Sequence, residues 1–143
     1  MENSWFVFAI LSAITAALVA VFGKIGLQGI DANTATAIRA VVMAAFLLGV
    51  LIWQGKLDNV GPILSNNKAL LFILLSGIAG ALSWMFYFLA LQKGTVAQVA
   101  PIDRTSVVFA IVFAFLLLGE KVSLTTVIGV GLIVVGAIVT TLG

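Results

Sequence analysis

The chain has 143 residues, of which 63% are hydrophobic and only 8% charged, whereas a soluble domain carries roughly 25% charged residues. So little polar surface excludes a soluble globular fold, and the scattered balance of seven Lys and Arg against five Asp and Glu excludes a nucleic-acid surface. The chain has no cysteine and no histidine, so disulfides, thiolate and imidazole chemistry and the usual zinc, copper and haem ligands are excluded, and neither a metal nor a cofactor is expected.

Long apolar runs predict an all-α, polytopic membrane protein with five transmembrane helices in a single domain, residues 1–143. A helix needs roughly 20 residues to cross about 30 Å of hydrocarbon, and short polar connections separate runs of that length. The predicted spans are residues 5–28, 33–53, 69–91, 96–118 and 124–142. The longest connection, residues 54–68, contains glycine, proline and asparagine, which predict a surface loop.

The second span is too short unless it includes a charged residue. From Ala40 to Trp53 there are 14 residues, roughly 21 Å of helix, which is less than the hydrocarbon thickness. The second helix is therefore expected to extend back through Arg39. Lys24 ends the first span, and consecutive helices reverse direction, so Lys24 and Arg39 are expected on the same side of the membrane.

The fourth span carries two more charges. Thr95 and Gln98 match the S/T-x-x-E/Q pattern of a capping box, which predicts a helix that begins there and includes Asp103 and Arg104. On this start Pro101 lies past the first turn and is expected to bend the helix, because its nitrogen has no hydrogen to donate. The alternative is a start at Pro101, its favoured position, which would leave Asp103 near the interface.

Four charged side chains in one half of the membrane predict a wet cavity that contains a partial ion pair. Each charge in hydrocarbon costs at least about 2.5–3.5 kcal/mol, so pairing or hydration is expected. The four residues are Lys24, Arg39, Asp103 and Arg104. The alternative for Lys24 and Arg39 is that their charged groups extend to the lipid headgroups instead.

An aromatic stripe runs along the third span. Gly80, Trp84 and Tyr87 are spaced i, i+4 and i+7 and end on the charged side of the membrane. Trp84 and Tyr87 are therefore candidates to stack on the apolar part of a substrate, although an aromatic belt at the interface is the alternative. The predicted substrate-binding residues are Lys24, Arg39, Trp84, Tyr87, Asp103 and Arg104.

The fifth span is uncharged and presents small residues on one face. Thr125, Gly129, Gly136 and Thr140 follow a helical spacing that predicts close helix association, with Gly129 and Gly136 as dimer contacts. Basic residues near the helix ends are almost equal on the two sides, so the chain is expected to insert in both orientations. Two antiparallel copies would form a homodimer of ten helices with an inverted repeat.

Several passages resemble the EamA-domain branch of the drug/metabolite transporter superfamily. They are FGKIGLQGIDANTATAIRA at residues 22–40, FYFLALQKGTVAQVAPI at residues 86–102 and FLLLGEKVSLTTVIGVGLIVVGAIV at residues 115–139. The most specific is Leu-Gly-Glu at residues 118–120, which is similar to the ending of the EamA repeat. The glycines seven residues apart on the fifth span resemble the dimer-contact helix of the small multidrug resistance transporters. The first span, however, has no counterpart of the acidic residue central to those proteins.

The resemblance implies a half-sized, single-domain transporter that acts as a homodimer by alternating access. Most family members have two such repeats, and they move amino acids, drugs, metabolites, sugar phosphates or nucleotide sugars. A small metabolite or drug-like solute is therefore the expected substrate. The expected setting is the lipid of a prokaryotic plasma (inner) membrane, with a second copy as partner.

Other functions are also compatible with the sequence. A lipid-linked-sugar flippase would need a lateral opening to lipid, and a non-transporting membrane assembly partner would need Asp103 and Arg104 only for stability. An enzyme is not expected, because without histidine or cysteine no pair of nucleophile and base is evident.

Overall fold

The computed structural model describes residues 4–142, and most of this stretch is helical. In chain order the helices are α1 (Ser4–Gly26), α2 (Ala32–Trp53), α3 (Val60–Ser65), α4 (Asn67–Lys93), α5 (Val96–Arg104), α6 (Ser106–Phe113) and α7 (Leu124–Thr140). A 3-10 turn, Leu57–Asn59, precedes α3, and a π-helical segment, Ala114–Leu118, continues α6. No β-strand occurs between residues 4 and 142, which confirms the predicted all-α class.

Four helical stretches are long and apolar enough to cross a membrane: Ser4–Gly26, Ala32–Trp53, Asn67–Lys93 and Val96–Leu118. The last helix, α7, is a shorter apolar helix of 17 residues. Most large apolar side chains are exposed, including Trp53 at 86% and Phe46 at 71%. Such a continuous apolar surface is stable against lipid but not against water, so the chain is a multi-pass membrane protein.

The helical stretches begin and end within two residues of the predicted spans. The surface loop predicted at residues 54–68 is exposed through residue 68, but it is not a simple loop, because it contains the 3-10 turn and α3. Pro62 is compatible with α3 because it lies in the first turn, where a backbone N–H has no acceptor within the helix.

The chain divides into two compact units. The first unit consists of Met1–Lys24 and Lys93–Gly143, of which residues 4–24 and 93–142 are described, and the second unit is Ile25–Gln92. Within the first unit α5 packs against α7. Within the second unit the buried apolar side chains lie in the turn before α2, at the first residue of α2 and near the end of α4: Leu27, Ala32, Phe88 and Leu91.

Polar side chains fix the starts of α2 and α5. An oxygen of Asp31 accepts hydrogen bonds from the backbone N–H of Thr34 at 2.8 Å and from its hydroxyl at 2.9 Å. The hydroxyl of Thr95 accepts from the Gln98 N–H at 3.3 Å, and the Gln98 side chain accepts from the Thr95 N–H at 3.1 Å. The predicted capping box is therefore confirmed, and the alternative start at Pro101 is wrong.

The fourth helical stretch is interrupted at Thr105, and the bend predicted at Pro101 stays a prediction. The α5 helix continues through Pro101 and ends at Arg104. The Thr105 N–H donates to the Ile102 carbonyl at 3.0 Å, and the Thr105 hydroxyl donates to the same oxygen at 2.7 Å. A bond to residue i−3 tightens the backbone, and a hydroxyl that competes for the carbonyl weakens the regular i−4 ladder. The local chemistry of Thr105 therefore sets the break.

The Leu-Gly-Glu passage ends this stretch through a left-handed glycine. Gly119 has a φ of 68°, a conformation that is costly for residues with a Cβ. The backbone N–H groups of Gly119 and Glu120 both donate to the Ala114 carbonyl, the second at 3.2 Å. Gly119 thus closes the helix C-terminus and directs the chain toward α7.

Candidate functional site

The candidate site is a cavity of about 550 Å³ between α2 and α4, within the second unit. This volume falls in the range of roughly 300–1,000 Å³ that is typical of small-molecule sites. The space exists because small residues face it from both helices: Ala37, Ala40, Ala44, Gly77, Gly80 and Ala81. A Cβ added at Gly77 or Gly80 would meet no atom within 4 Å, so these positions are open. We call this space the α2–α4 cavity.

Two methionines line the α2–α4 cavity. Met43 on α2 and Met85 on α4 are the methionines of the described residues, and both contribute to the walls. An unbranched thioether side chain has many accessible rotamers and adapts to irregular shapes. Leu47 marks the apolar end of the cavity on α2. The walls therefore suit apolar groups of varied outline.

Arg39 lies at the polar end of the cavity, one to two turns into α2, near Asn33 and Thr36. The guanidinium carbon is 3.7 Å from the centroid of the Trp84 ring and 4.9 Å from that of the Phe88 ring. Aromatic faces attract a cation electrostatically but do not neutralise it. Among the described residues of the second unit, no hydrogen-bond acceptor or carboxylate pairs with the Arg39 side chain.

Three aromatic residues near the end of α4, Trp84, Tyr87 and Phe88, form a cluster beneath Arg39. Trp84 and Tyr87 meet edge to face with centroids 5.6 Å apart, and Trp84 and Phe88 are tilted at 5.8 Å. Trp84 lines the cavity, whereas Tyr87 lies beside Trp84 and outside the lining. Phe88, which is only 3% exposed, was not among the predicted site residues. Its position four residues after Trp84 was the available signal, because that spacing places both rings on one helix face.

Hydrogen bonds hold the turn before α2 close to the end of α4. The side-chain amide of Gln92 donates to the Ile30 carbonyl at 2.7 Å. In the same turn the Thr34 N–H, and then the Thr34 hydroxyl, hold the pKa of the exposed Asp31 carboxyl below its ordinary value of 3.8. These contacts anchor the backbone at the polar end of the cavity.

The other predicted binding residues lie in the first unit. The half-buried Lys24 donates to the Gly94 carbonyl at 2.8 Å and so links the end of α1 to the turn between α4 and α5. On α5, Asp103 is half-buried and Arg104 is exposed. A shared site of Lys24, Asp103 and Arg104 with Arg39 stays a prediction.

The predicted dimer contacts lie on α7. A Cβ at Gly129 or Gly136 would meet no atom within 4 Å, so these positions on α7 are open, and their role stays a prediction. Residues 4–142 contain no group of three or more Asp, Glu, His or Cys side chains that could hold a metal ion.

Comparisons with known proteins place the chain among transporters. The sequence profile of the EamA-like transporter family matches residues 3–142. An uncharacterised transporter encoded in the cobO 3′ region of Sinorhizobium sp. is 41% identical over 138 residues, which cover 96% of each chain. Solute carrier family 35 member G1 of Mus musculus is 30% identical over 117 residues, which are 82% of this chain but only 30% of the mouse protein. No solved structure matches the chain.

Proposed function

Because the chain belongs to the EamA-like transporter family, we propose that it moves a small metabolite or drug-like solute across a prokaryotic plasma membrane by alternating access as a homodimer. The observation that carries this proposal is the α2–α4 cavity, which combines apolar walls with a cationic end at Arg39. Concave, largely apolar sites with a few oriented polar groups are typical of small-molecule binding.

The lengths of the two relatives support assembly from two copies. The Sinorhizobium transporter matches this chain almost end to end, whereas the matched region is less than a third of the mouse protein. Transporters of this kind place the substrate between two related halves. In the proposed assembly a second copy, inserted in the opposite orientation, supplies the second half. Gly129 and Gly136 on α7 would let the two helices approach closely.

In the proposed mechanism the charged residues hold the polar part of the substrate. Arg39 and Arg104 bind an anionic or zwitterionic group, and Asp103 pairs with Arg104 or accepts a cationic group. Trp84 and Tyr87 stack on the apolar part. Rocking of the two halves around this site then exposes the substrate to each side of the membrane in turn.

A binding screen followed by transport tests the proposal. The purified protein is heated with amino acids, organic cations, organic anions, sugar phosphates and drugs, beside Arg39→Gln and Asp103→Asn variants. We expect at least one class of compound to raise the melting temperature of the wild type and to lose this effect in a variant.

Compounds that bind are then tested in vesicles. An unlabelled binder loaded inside proteoliposomes should accelerate the entry of its labelled form, and the variant that fails to bind should not do so. Binding without such exchange would contradict transport and favour the assembly-partner function. Labelled lipid that moves between leaflets instead would favour the flippase.

A further inference from the structure

The chemistry of the α2–α4 cavity allows a narrower statement, which rests on the proposed transport function. We propose that the α2–α4 cavity binds an amphipathic organic anion, a molecule with one negatively charged head group and one apolar body, with the head group at Arg39. The charge at one end, the composition of the walls and the length of the space each support this substrate class.

The charge at the polar end of the cavity lacks a counterion within the second unit. The carboxylates of this unit are Asp31, whose oxygen binds Thr34, and Asp58, which lies in the connection after the opposite end of α2. Arg39 has five N–H donors in a planar fork, and a carboxylate or phosphate can accept two of them at once. An anionic ligand therefore supplies the counterion that the residues of this unit do not provide for Arg39.

Trp84 positions Arg39 for such a ligand. The guanidinium lies 3.7 Å from the ring centroid, a contact that restrains the side chain and keeps its charge. A carboxylate of the protein would also restrain Arg39 but would cancel the charge that attracts an anion. The aromatic support therefore favours a site that attracts anions.

The walls beyond Arg39 are apolar over a defined length. From Arg39 to Leu47 the α2 helix rises about 12 Å, and the polar lining residues, Asn33, Thr36 and Arg39, all lie at the N-terminal part of this helix. A substrate that is polar along its whole length, such as a sugar phosphate, would leave hydroxyl groups without partners against these walls. A single head group on an apolar body of about this length satisfies both ends.

Bromine quenching of Trp84 reports binding in the cavity directly. Trp5 and Trp53 are 69% and 86% exposed, so their replacement by Phe leaves Trp84 as the single tryptophan with little loss of packing. The probe is 2-bromodecanoate, whose bromine lies next to its carboxylate. The control is its methyl ester, which has the same chain and bromine but no charge. In nanodiscs of phosphatidylcholine we expect saturable quenching by the acid and only non-saturable quenching by the ester.

Two kinds of variant separate the head-group site from the apolar walls. Arg39→Gln should weaken the binding of the acid at least tenfold, whereas Arg39→Lys, which keeps the charge but loses the planar fork, should weaken it less than Arg39→Gln does. Gly80→Leu fills the cavity and should also weaken binding at least tenfold, whereas Gly49→Leu, on α2 outside the lining, should not. Ala44→Leu provides a second filling variant should Gly80→Leu fail to fold.

The source of the anion is resolved by competition. Addition of phosphatidylglycerol to the nanodiscs displaces the acid if the natural occupant is an anionic lipid, and leaves the binding unchanged if it is a free amphipathic acid. Equal saturable quenching by acid and ester overturns the proposal. The proposal is also overturned if Gly80→Leu changes the fraction of dimer but leaves the binding of the acid unchanged. The cavity would then be a helix-packing surface.

The transport assay separates this proposal from the proposed function. If the acid fails to bind but another class of compound exchanges across proteoliposomes, the anion proposal fails and the transport function stands. If the acid binds as expected but no compound is exchanged, transport fails and the binding site stands.

Discussion

Lys24 shows how a membrane-embedded charge can be accommodated by the backbone. Its ammonium lies 2.8 Å from the Gly94 carbonyl, at a turn where helix-internal partners are missing. A cation near the end of a helix also interacts favourably with the partial negative charge of the last carbonyls. The structure therefore offers Lys24 a structural role beside the predicted role in substrate binding.

Replacement of Lys24 distinguishes these roles. Lys24→Met should lower the free energy of unfolding by about 1–2 kcal/mol, because the charged donor is lost, whereas Lys24→Arg should retain most of the stability. Unfolding by SDS in mixed micelles measures the difference, with Lys121→Met, an exposed lysine between helices, as control. If Lys24→Met matches the control in stability but no longer responds to a bound substrate, the structural role is contradicted.

Only some residues of the site could be identified from the sequence. Arg39 and Trp84 could be singled out, because a charge and a deep aromatic side chain are unusual in a transmembrane helix. Phe88 could have been found from its spacing to Trp84. The small residues and the methionines of the cavity, by contrast, could not be distinguished from ordinary lipid-facing residues. Their role depends on which helix packs opposite them, and the spacing of residues within one helix does not predict that contact.

At the scale of elements, Gly119 supports a direct test of backbone conformation. Gly119→Ala should lower the free energy of unfolding by about 1–2 kcal/mol, because alanine is strained at a φ of 68°. Gly131→Ala, inside α7 where a Cβ meets no atom, should instead be neutral or stabilising by up to about 1 kcal/mol. Equal effects of the two substitutions in SDS unfolding would contradict the assignment of Gly119 as the helix terminator.

The Asp31 cap of α2 predicts a pH dependence with a known sign. The pKa of Asp31 is lowered in the folded chain, so its contribution to stability is complete above the ordinary value of 3.8 and is lost as the pH falls through the lowered value. Asp31→Asn keeps a capping oxygen without a titratable charge.

Melting temperatures of the two proteins measure the Asp31 effect. The difference between wild type and Asp31→Asn should stay constant between about pH 7 and pH 5, and the wild type should lose stability relative to the variant only below pH 3.8. A difference that is already changing near neutral pH would show that another group is responsible. Asp31→Ala, which lacks the capping oxygen, should be less stable than Asp31→Asn above pH 5.

Helix positions were predictable because long apolar runs and capping residues act locally. The capping box of Thr95 and Gln98 is an example, since all of its partners lie within four residues. The helix α3 was missed because six exposed residues carry too little apolar periodicity to be recognised. The break at Thr105 was missed because a threonine hydroxyl bonded to the Ile102 carbonyl leaves no sequence pattern.

At the scale of the whole molecule, the orientation of the chain in the membrane can be measured with reporter fusions. Alkaline phosphatase fused to the C-terminus is active only outside the cytoplasm, and green fluorescent protein only inside. We expect both fusions to be active at comparable levels, because the basic residues near the helix ends balance. A single active fusion would contradict the antiparallel dimer.

A matched variant makes the orientation test independent of the reporters. Asn66→Lys with Asn67→Lys adds two positive charges at the start of α4 and should shift the chain to one orientation. Transport by this variant alone should then fall. Co-expression with a second variant that is biased to the opposite orientation should restore it. Full transport by a chain with one orientation would contradict the inverted assembly.

The length of α7 has a consequence for the lipid around the protein. Its 17 residues extend about 25 Å, roughly 5 Å less than the hydrocarbon core of a typical bilayer. Hydrophobic mismatch of this size costs fractions of a kcal/mol per Å and is relieved when the bilayer thins beside the helix. Two α7 helices in a dimer would thin the same patch of membrane. Two separate chains would each thin a patch of their own, so lipids with longer acyl chains, in which the mismatch is larger, should favour the dimer.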